Sequence, residues 1–221
     1  YRELFSSCPL HHLHTLELWD SADIDPDGPR DRTTPDVVRL LMQSPISRQV
    51  RVLRLPFDFE VFRELAAYPA DAGLQELCPS SSGHPLDPLS HNVAAPDDYQ
   101  RLAETAVRLA LRRLSISRQR VAAPDVLALT RVRRWDHLTH LRLDGNPLAD
   151  HGVAGVCRPV VFPRLRHLNL ARTQLTDVGA VLLARSGLTQ TLRFLDLTGN
   201  TVTGHGAVPL AAALAEGPLT E

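Results

Sequence analysis

Several groups of residues in this sequence have types and spacings that could do chemistry. Asp23-x-Asp25-x-Asp27-Gly28, with Asp31 beyond it, sets carboxylates at alternate positions, as the opening of a calcium-binding loop does. Thr34 stands where the bidentate Glu of such a loop belongs, and Pro26 and Pro29 restrict the backbone, so the segment reads as an acidic loop between a strand and a helix. Cys8-xx-His11-His12-x-His14 offers zinc ligands, with His140 and His167 as a further pair, but no fourth ligand arrives at a recognisable spacing. Solvent-facing histidines between inward leucines fit these positions better. Residues 101–134 hold nine Arg against Glu104 and Asp125, a stretch that could meet an anionic ligand, while residues 17–36 hold seven acidic residues and two Arg.

The elements that position these residues are set by a repeat. Leu138-xx-Leu141-x-Leu143-xx-Asn146-x-Leu148 recurs as Leu165-xx-Leu168-x-Leu170-xx-Thr173-x-Leu175 and as Leu192-xx-Leu195-x-Leu197-xx-Asn200-x-Val202, a period of 27 residues. Gly152, Gly179 and Gly206 fall in register, followed by Val153, Ala180 and Ala207, then by Val156, Leu183 and Leu210. In x-Leu-x-Leu-x both leucines point inward from a short strand and the intervening residues point outward. Asn146, Asn200 and Thr173 stand where a buried polar side chain can satisfy backbone groups of the turn leaving the strand. The Ala- and Leu-rich stretches at 176–186 and 204–216 have helical spacing.

This pattern resembles the leucine-rich repeat, and Asp177-Val178-Gly179-Ala180-xx-Leu183-Ala184 looks like its ribonuclease-inhibitor-like subclass. The resemblance implies an α/β fold: a leucine-rich-repeat solenoid, or horseshoe, with parallel inner strands and outer helices, in about seven repeats. It implies shape and a mode of binding, and no inhibition of a ribonuclease.

Weaker copies lie at Leu111-xx-Leu114-x-Ile116, Leu74-xx-Leu77, Val50-xx-Leu53-x-Leu55 and Leu13-xx-Leu16-x-Leu18, with spacings of 37, 24, 37 and then 27 residues between central leucines. The expected organisation is one domain over 1–221, with degenerate repeats and insertions in 10–137 and regular repeats in 138–217. Pro79 replaces an inward leucine in the third unit, and the 79–96 insertion reads as a loop before a helix at 97–113. Leu219 lies one period beyond Leu192 and there is no initiator Met, so the segment is expected to be part of a longer protein.

Composition is that of a folded module: 43% hydrophobic, 22% charged, formal net charge -1. No apolar run has the length of a membrane span, and no signal peptide is recognisable within the sequence. Cys8, Cys78 and Cys157 are odd in number and far apart, which favours reduced thiols and the cytoplasm. All 24 basic side chains are Arg and none is Lys, a usage associated with high-GC bacterial coding.

Enzyme signatures are missing: no Gly-x-Ser-x-Gly elbow, phosphate loop, His-Glu-xx-His or dinucleotide glycine fingerprint. Cys78 is nearest to a thiol nucleophile, yet two or more repeats separate it from His140 and His167. No catalysis and no cofactor is expected. The repeat assigns three outward columns. The central one is Glu17, Arg54, Cys78, Ser115, Arg142, Asn169 and Asp196; before it run Thr15, Val52, Glu76, Arg113, His140, His167 and Phe194; after it Trp19, Pro56, Ser80, Ser117, Asp144, Ala171 and Thr198. A surface mixing Trp19 and Phe194 with Arg54, Arg113 and Arg142 fits a protein partner or a neighbouring domain of the same chain. His140, Asp144, His167, Asn169 and Asp196 complete the candidate contact set. A regulatory segment that binds nucleic acid through 101–134 is the alternative, and a membrane partner is not expected.

Overall fold

The computed structural model describes residues 13–18, 34–55, 63–68, 73–79 and 97–218, and the chain divides into two compact units at Leu111. In the first unit, β1 (Thr15–Glu17), β2 (Val52–Leu55) and β3 (Glu76–Pro79) run parallel. Their register pairs Leu16 with Leu53 and Leu53 with Leu77, and it sets Leu55 against Pro79. Helices α1 (Thr34–Gln43) and α2 (Asp98–Arg108) belong to this unit, whose interior contains Val38, Leu41, Leu53, Leu55, Leu65, Tyr68 and Leu102. Helix α2 stops at Arg108, short of the 97–113 that spacing predicts. Ala110 takes a left-handed conformation (φ 55°), and the Leu111 amide bonds back to the Ala106 carbonyl at 3.0 Å, which closes the helix.

The second unit contains β4 (Arg113–Ser115), β5 (His140–Arg142), β6 (His167–Asn169) and β7 (Phe194–Asp196), all parallel. Leu114, Leu141, Leu168 and Leu195 pair in one row, as the 27-residue period requires. Helices α3 (Ala123–Leu129), α4 (Ala149–Val156), α5 (Asp177–Arg185) and α6 (Gly204–Ala215) follow the strands in alternation. Leu138, Leu143, Leu165, Leu168, Leu170 and Leu192 are fully buried. Each such side chain contributes about 1.5–3 kcal/mol, so the leucine period supplies most of the drive to stack one unit on the next.

The buried polar positions behave as the repeat predicts. The Asn146 side-chain amide donates to the carbonyls of Ile116 (2.7 Å) and Leu143 (2.8 Å), and its oxygen accepts from the amides of Gln119 (2.8 Å) and Val121 (3.1 Å). Asn200 repeats the arrangement two repeats further on, donating to Leu170 and Leu197 and accepting from Thr173 and Leu175. Thr173, where Asn would stand, donates its hydroxyl to the Leu170 carbonyl at 2.7 Å. Backbone groups that leave the strands inside the fold are thereby paired across adjacent units.

A second ladder runs along the helices. Asp150 accepts from the Thr176 amide and the Gly179 amide (both 2.9 Å) and from the Thr176 hydroxyl (2.6 Å). Asp177 does the same for Thr203 (2.7 and 2.6 Å) and Gly206 (3.0 Å). Each carboxylate therefore caps the start of the next unit's helix. Two of the three in-register glycines are explained by this contact: a Cβ on Gly179 would lie 2.5 Å from Asp150 Oδ1, and one on Gly206 would lie 2.6 Å from Asp177 Oδ1, whereas one on Gly152 would meet Leu148 Cβ at 2.9 Å.

Candidate binding face

The candidate contact residues follow from strand alternation. With Leu114, Leu141 and Leu168 inward, register brings Arg113, His140, His167 and Phe194 into one row and Ser115, Arg142, Asn169 and Asp196 into the next. Both rows have the membership that the sequence assigns to them within this unit. His140 and His167 stack with ring centroids 4.0 Å apart and planes 4° apart, and Phe194 continues the stack at 5.9 Å from His167. The Thr139 hydroxyl and His140 Nδ1 are 2.8 Å apart. Burial first, then His167 and Arg113 beside it, pushes His140 down to about 4, so it is neutral at neutral pH.

The polar rows are held by their own turns. Asp144 accepts from the Ser117 hydroxyl at 2.7 Å and from Arg142 Nε at 3.3 Å. Asn169 Oδ1 accepts the Ala171 amide and Asp196 Oδ1 the Thr198 amide, each at 2.9 Å. Hydrogen bonds from the Thr198 hydroxyl and amide hold the Asp196 carboxyl below the usual range, with Arg142 assisting. Arg142 thus forms its short ion pair with Asp144, and Asp196 is anchored by its own turn.

One row was not anticipated. The Thr139 amide bonds to the Arg112 carbonyl (2.8 Å), Arg166 to Thr139 (2.9 Å) and Arg193 to Arg166 (2.7 Å), so Arg112, Thr139, Arg166 and Arg193 line the leading ends of β4–β7. The 27-residue spacing of 112, 139, 166 and 193 carried this signal, but only strand–rim geometry makes it a ledge.

In the first unit, register aligns Glu17, Arg54 and Cys78, and Arg54 ion-pairs with Glu17 at 3.5 Å and hydrogen-bonds Cys78. Burial pushes the Cys78 thiol up despite that bond, and burial raises Cys157 to about 11. Neither free thiol is a poised nucleophile. Trp19, Pro56, Ser80, the Asp23–Asp31 loop, Leu219 and the Cys8–His12 part of the histidine cluster lie outside the described residues. His14 is exposed. Among the described residues, no three His, Cys, Asp or Glu side chains are grouped to hold a metal ion.

The nine arginines of the 101–134 stretch are divided between the two units, two in the first and seven in the second. Arg101 and Arg108 lie on α2 in the first unit, whereas Arg112 lies beyond that helix, at the start of the second. Arg108 is occupied by the carbonyls of Tyr68, Leu65 and Ala66. Tyr99 and Trp135, the aromatics beside the stretch, are both 2% exposed, and Trp135 Nε1 donates to the Leu129 carbonyl.

A leucine-rich-repeat family model matches residues 137–157, 164–184 and 190–211. No curated protein matches the sequence. Among solved structures, the chain is similar to a tropomodulin C-terminal domain of Caenorhabditis elegans, with 12% identity over 56% of this chain and 77% of that one, at a TM-score of 0.44. It is also similar to a chain of a TLR13–ssRNA13 complex, with 16% identity over 76% of this chain and a TM-score of 0.43, and it spans 21% of that chain's length. No helix among the described residues is long and apolar enough to cross a membrane. The leucine period, the alternation of parallel strand and helix, and the family match over three successive repeats give the chain the α/β fold of a leucine-rich-repeat solenoid.

Proposed function

We propose that the chain is a non-catalytic interaction module whose strand face binds a protein partner or a neighbouring domain of the same chain. The observation that carries this reading is a division of labour. Inward positions of β4–β6 are buried leucines, while the outward ones hold Arg113, His140, Arg142, His167 and Asn169 in fixed register. Phe194 and Asp196 extend the rows on β7. Arg and aromatic side chains on a rigid support are the usual anchors of protein interfaces. The raised thiols of Cys78 and Cys157 support the non-catalytic part of the reading. A helix after each strand of the second unit supports the ribonuclease-inhibitor-like subclass, and free Cys78 and Cys157 fit a reducing cytoplasm.

The test is affinity capture with this chain as bait, comparing wild type with a Trp19→Ala, Arg142→Ala, Phe194→Ala variant. A protein recovered by wild type and absent from the folded variant is the expected result. Equal recovery by both would move the binding site off this face.

A further inference from the structure

We infer that the strand face of the second unit takes a carboxylate-rich protein segment, held by the Arg112–Arg166–Arg193 ledge and the edges of the Arg113–His140–His167–Phe194 row. This rests on the reading that the face binds protein, and adds the chemistry of what it binds.

Residues 112–221 contain fourteen Arg and eight acidic residues, a formal charge of +6, within a chain whose total is -1. Six of those carboxylates are already engaged inside the unit. Asp150 and Asp177 cap helices, Asp144 and Asp196 are held on the face, Asp125 accepts from the Ala122 amide at 2.8 Å, and Asp136 pairs with Arg134 at 3.1 Å. Thirteen of the fourteen arginines are exposed, and Arg166 is half-buried. The surplus is therefore positive charge on the surface, with the negative charge spent on structure. Three of these arginines, Arg112, Arg166 and Arg193, lie along the leading rim, next to the strand face that carries Arg113 and Arg142 together with Asp144 and Asp196. Arg142 meets Asp144 through Nε, and its side chain remains 58% exposed.

Geometry favours carboxylates over nucleic acid. A nucleic-acid base needs an open ring face to stack on. Here both faces of His167 and the inner faces of His140 and Phe194 are turned to one another, which leaves only the two end faces of the stack, and Tyr99 and Trp135 are buried. What the row presents outward are ring edges beside guanidinium groups, which donate in plane to carboxylate oxygens.

The experiment is fluorescence anisotropy of the whole chain with a labelled eight-residue Glu peptide carrying one central Phe, a Gln version of the same peptide and a labelled dT12 oligonucleotide. Binding is measured at 50 and 300 mM salt. The Glu peptide is expected to bind, at least tenfold better than the Gln version, and to weaken with salt. An Arg112→Gln, Arg166→Gln, Arg193→Gln variant should lose at least tenfold in affinity. An Arg158→Gln, Arg172→Gln, Arg185→Gln control, which removes equal charge elsewhere, should change it by twofold or less. Arg166 also bonds the Thr191 carbonyl at 2.8 Å, so the Arg112→Gln, Arg193→Gln double variant repeats the test with that contact intact. Equal loss in both triple variants, no Glu-peptide binding at 50 mM salt, or tighter binding of dT12 than of the peptide would each overturn the inference. A partner released by Arg142→Ala and Phe194→Ala but indifferent to the ledge variants would overturn it while leaving the interaction-module reading in place.

Discussion

The two units solve one problem with different side chains. In the second, where central leucines recur every 27 residues, neighbouring units are tied by short groups: Asn146 and Asn200 to strand carbonyls, Asp150 and Asp177 to Thr and Gly amides. In the first, where the spacings are 37 and 24 residues, the ties are long arginines. Arg51 reaches the Gly73 carbonyl at 2.9 Å, Arg108 the carbonyls of 65, 66 and 68, Arg39 the Glu64 carboxylate and Arg63 the buried Asp98. A short side chain can bridge only if the repeat length is constant. A flexible one absorbs variation, at a cost in rotamer entropy. The units differ in charge as well: ten Arg against seventeen acidic residues give the first a formal -7, and fourteen Arg against eight give the second +6.

This contrast can be broken most severely at Asn146, which is 1% exposed and makes two donor and two acceptor bonds. Asn146→Ala strands four backbone groups and is expected to cost about 4 kcal/mol in chemical denaturation, against about 1–2 kcal/mol for Arg108→Ala in the first unit. Equal costs would erase the distinction. Gly179→Ala should follow at about 2–3 kcal/mol, because its Cβ would overlap Leu175 Cδ1 and displace the Asp150 carboxylate.

Acid should act on the second unit in two steps. His140 titrates near 4 when folded and near 6.5 when free, so the unfolded chain takes up the proton first and stability falls between those values. Replacing His140 with Phe should flatten thermal stability across that window. Asp150, Asp177 and Asp196 are all held below the ordinary carboxylate value of 3.8, so their contribution is present above it and is lost as pH drops through their folded values. Asp177→Asn should diminish this second step; an unchanged acid limb would remove the helix ladder from the account. The smallest effect is at the turn after β6. Arg172 holds φ 54° and stacks its Cγ where a Cβ on Gly199 would be. Arg172→Gly should change stability by no more than about 1 kcal/mol, as relief of the left-handed strain offsets the added chain entropy.

Strands, register rows and buried asparagines were legible because leucine spacing alone fixes which side chains face inward. Helix α2 was overextended because Ala110 carries no breaker signal, although it adopts the left-handed turn. For the basic stretch at 101–134, sequence proximity does not reveal that Arg108 faces backbone carbonyls or that Trp135 is core. The Asp-to-Thr/Gly ladder was written in register at 150, 176, 179 and at 177, 203, 206. It went unread because each bond joins a residue of one repeat to the next, and a single repeat holds only half of it.

That crossing of repeat boundaries makes the array editable in one size only. Removing residues 165–191 would delete 27 positions and slide Thr203 and Gly206 into the places that Thr176 and Gly179 leave, where Asp150 waits with the same geometry that Asp177 has now. Removing 26 or 28 would put the wrong side chain under every carboxylate and turn the leucine row over. Gene duplication and loss can therefore lengthen or shorten this half of the protein in whole 27-residue steps, whereas the arginine-tied half already carries intervals of 37 and 24 residues between its central leucines.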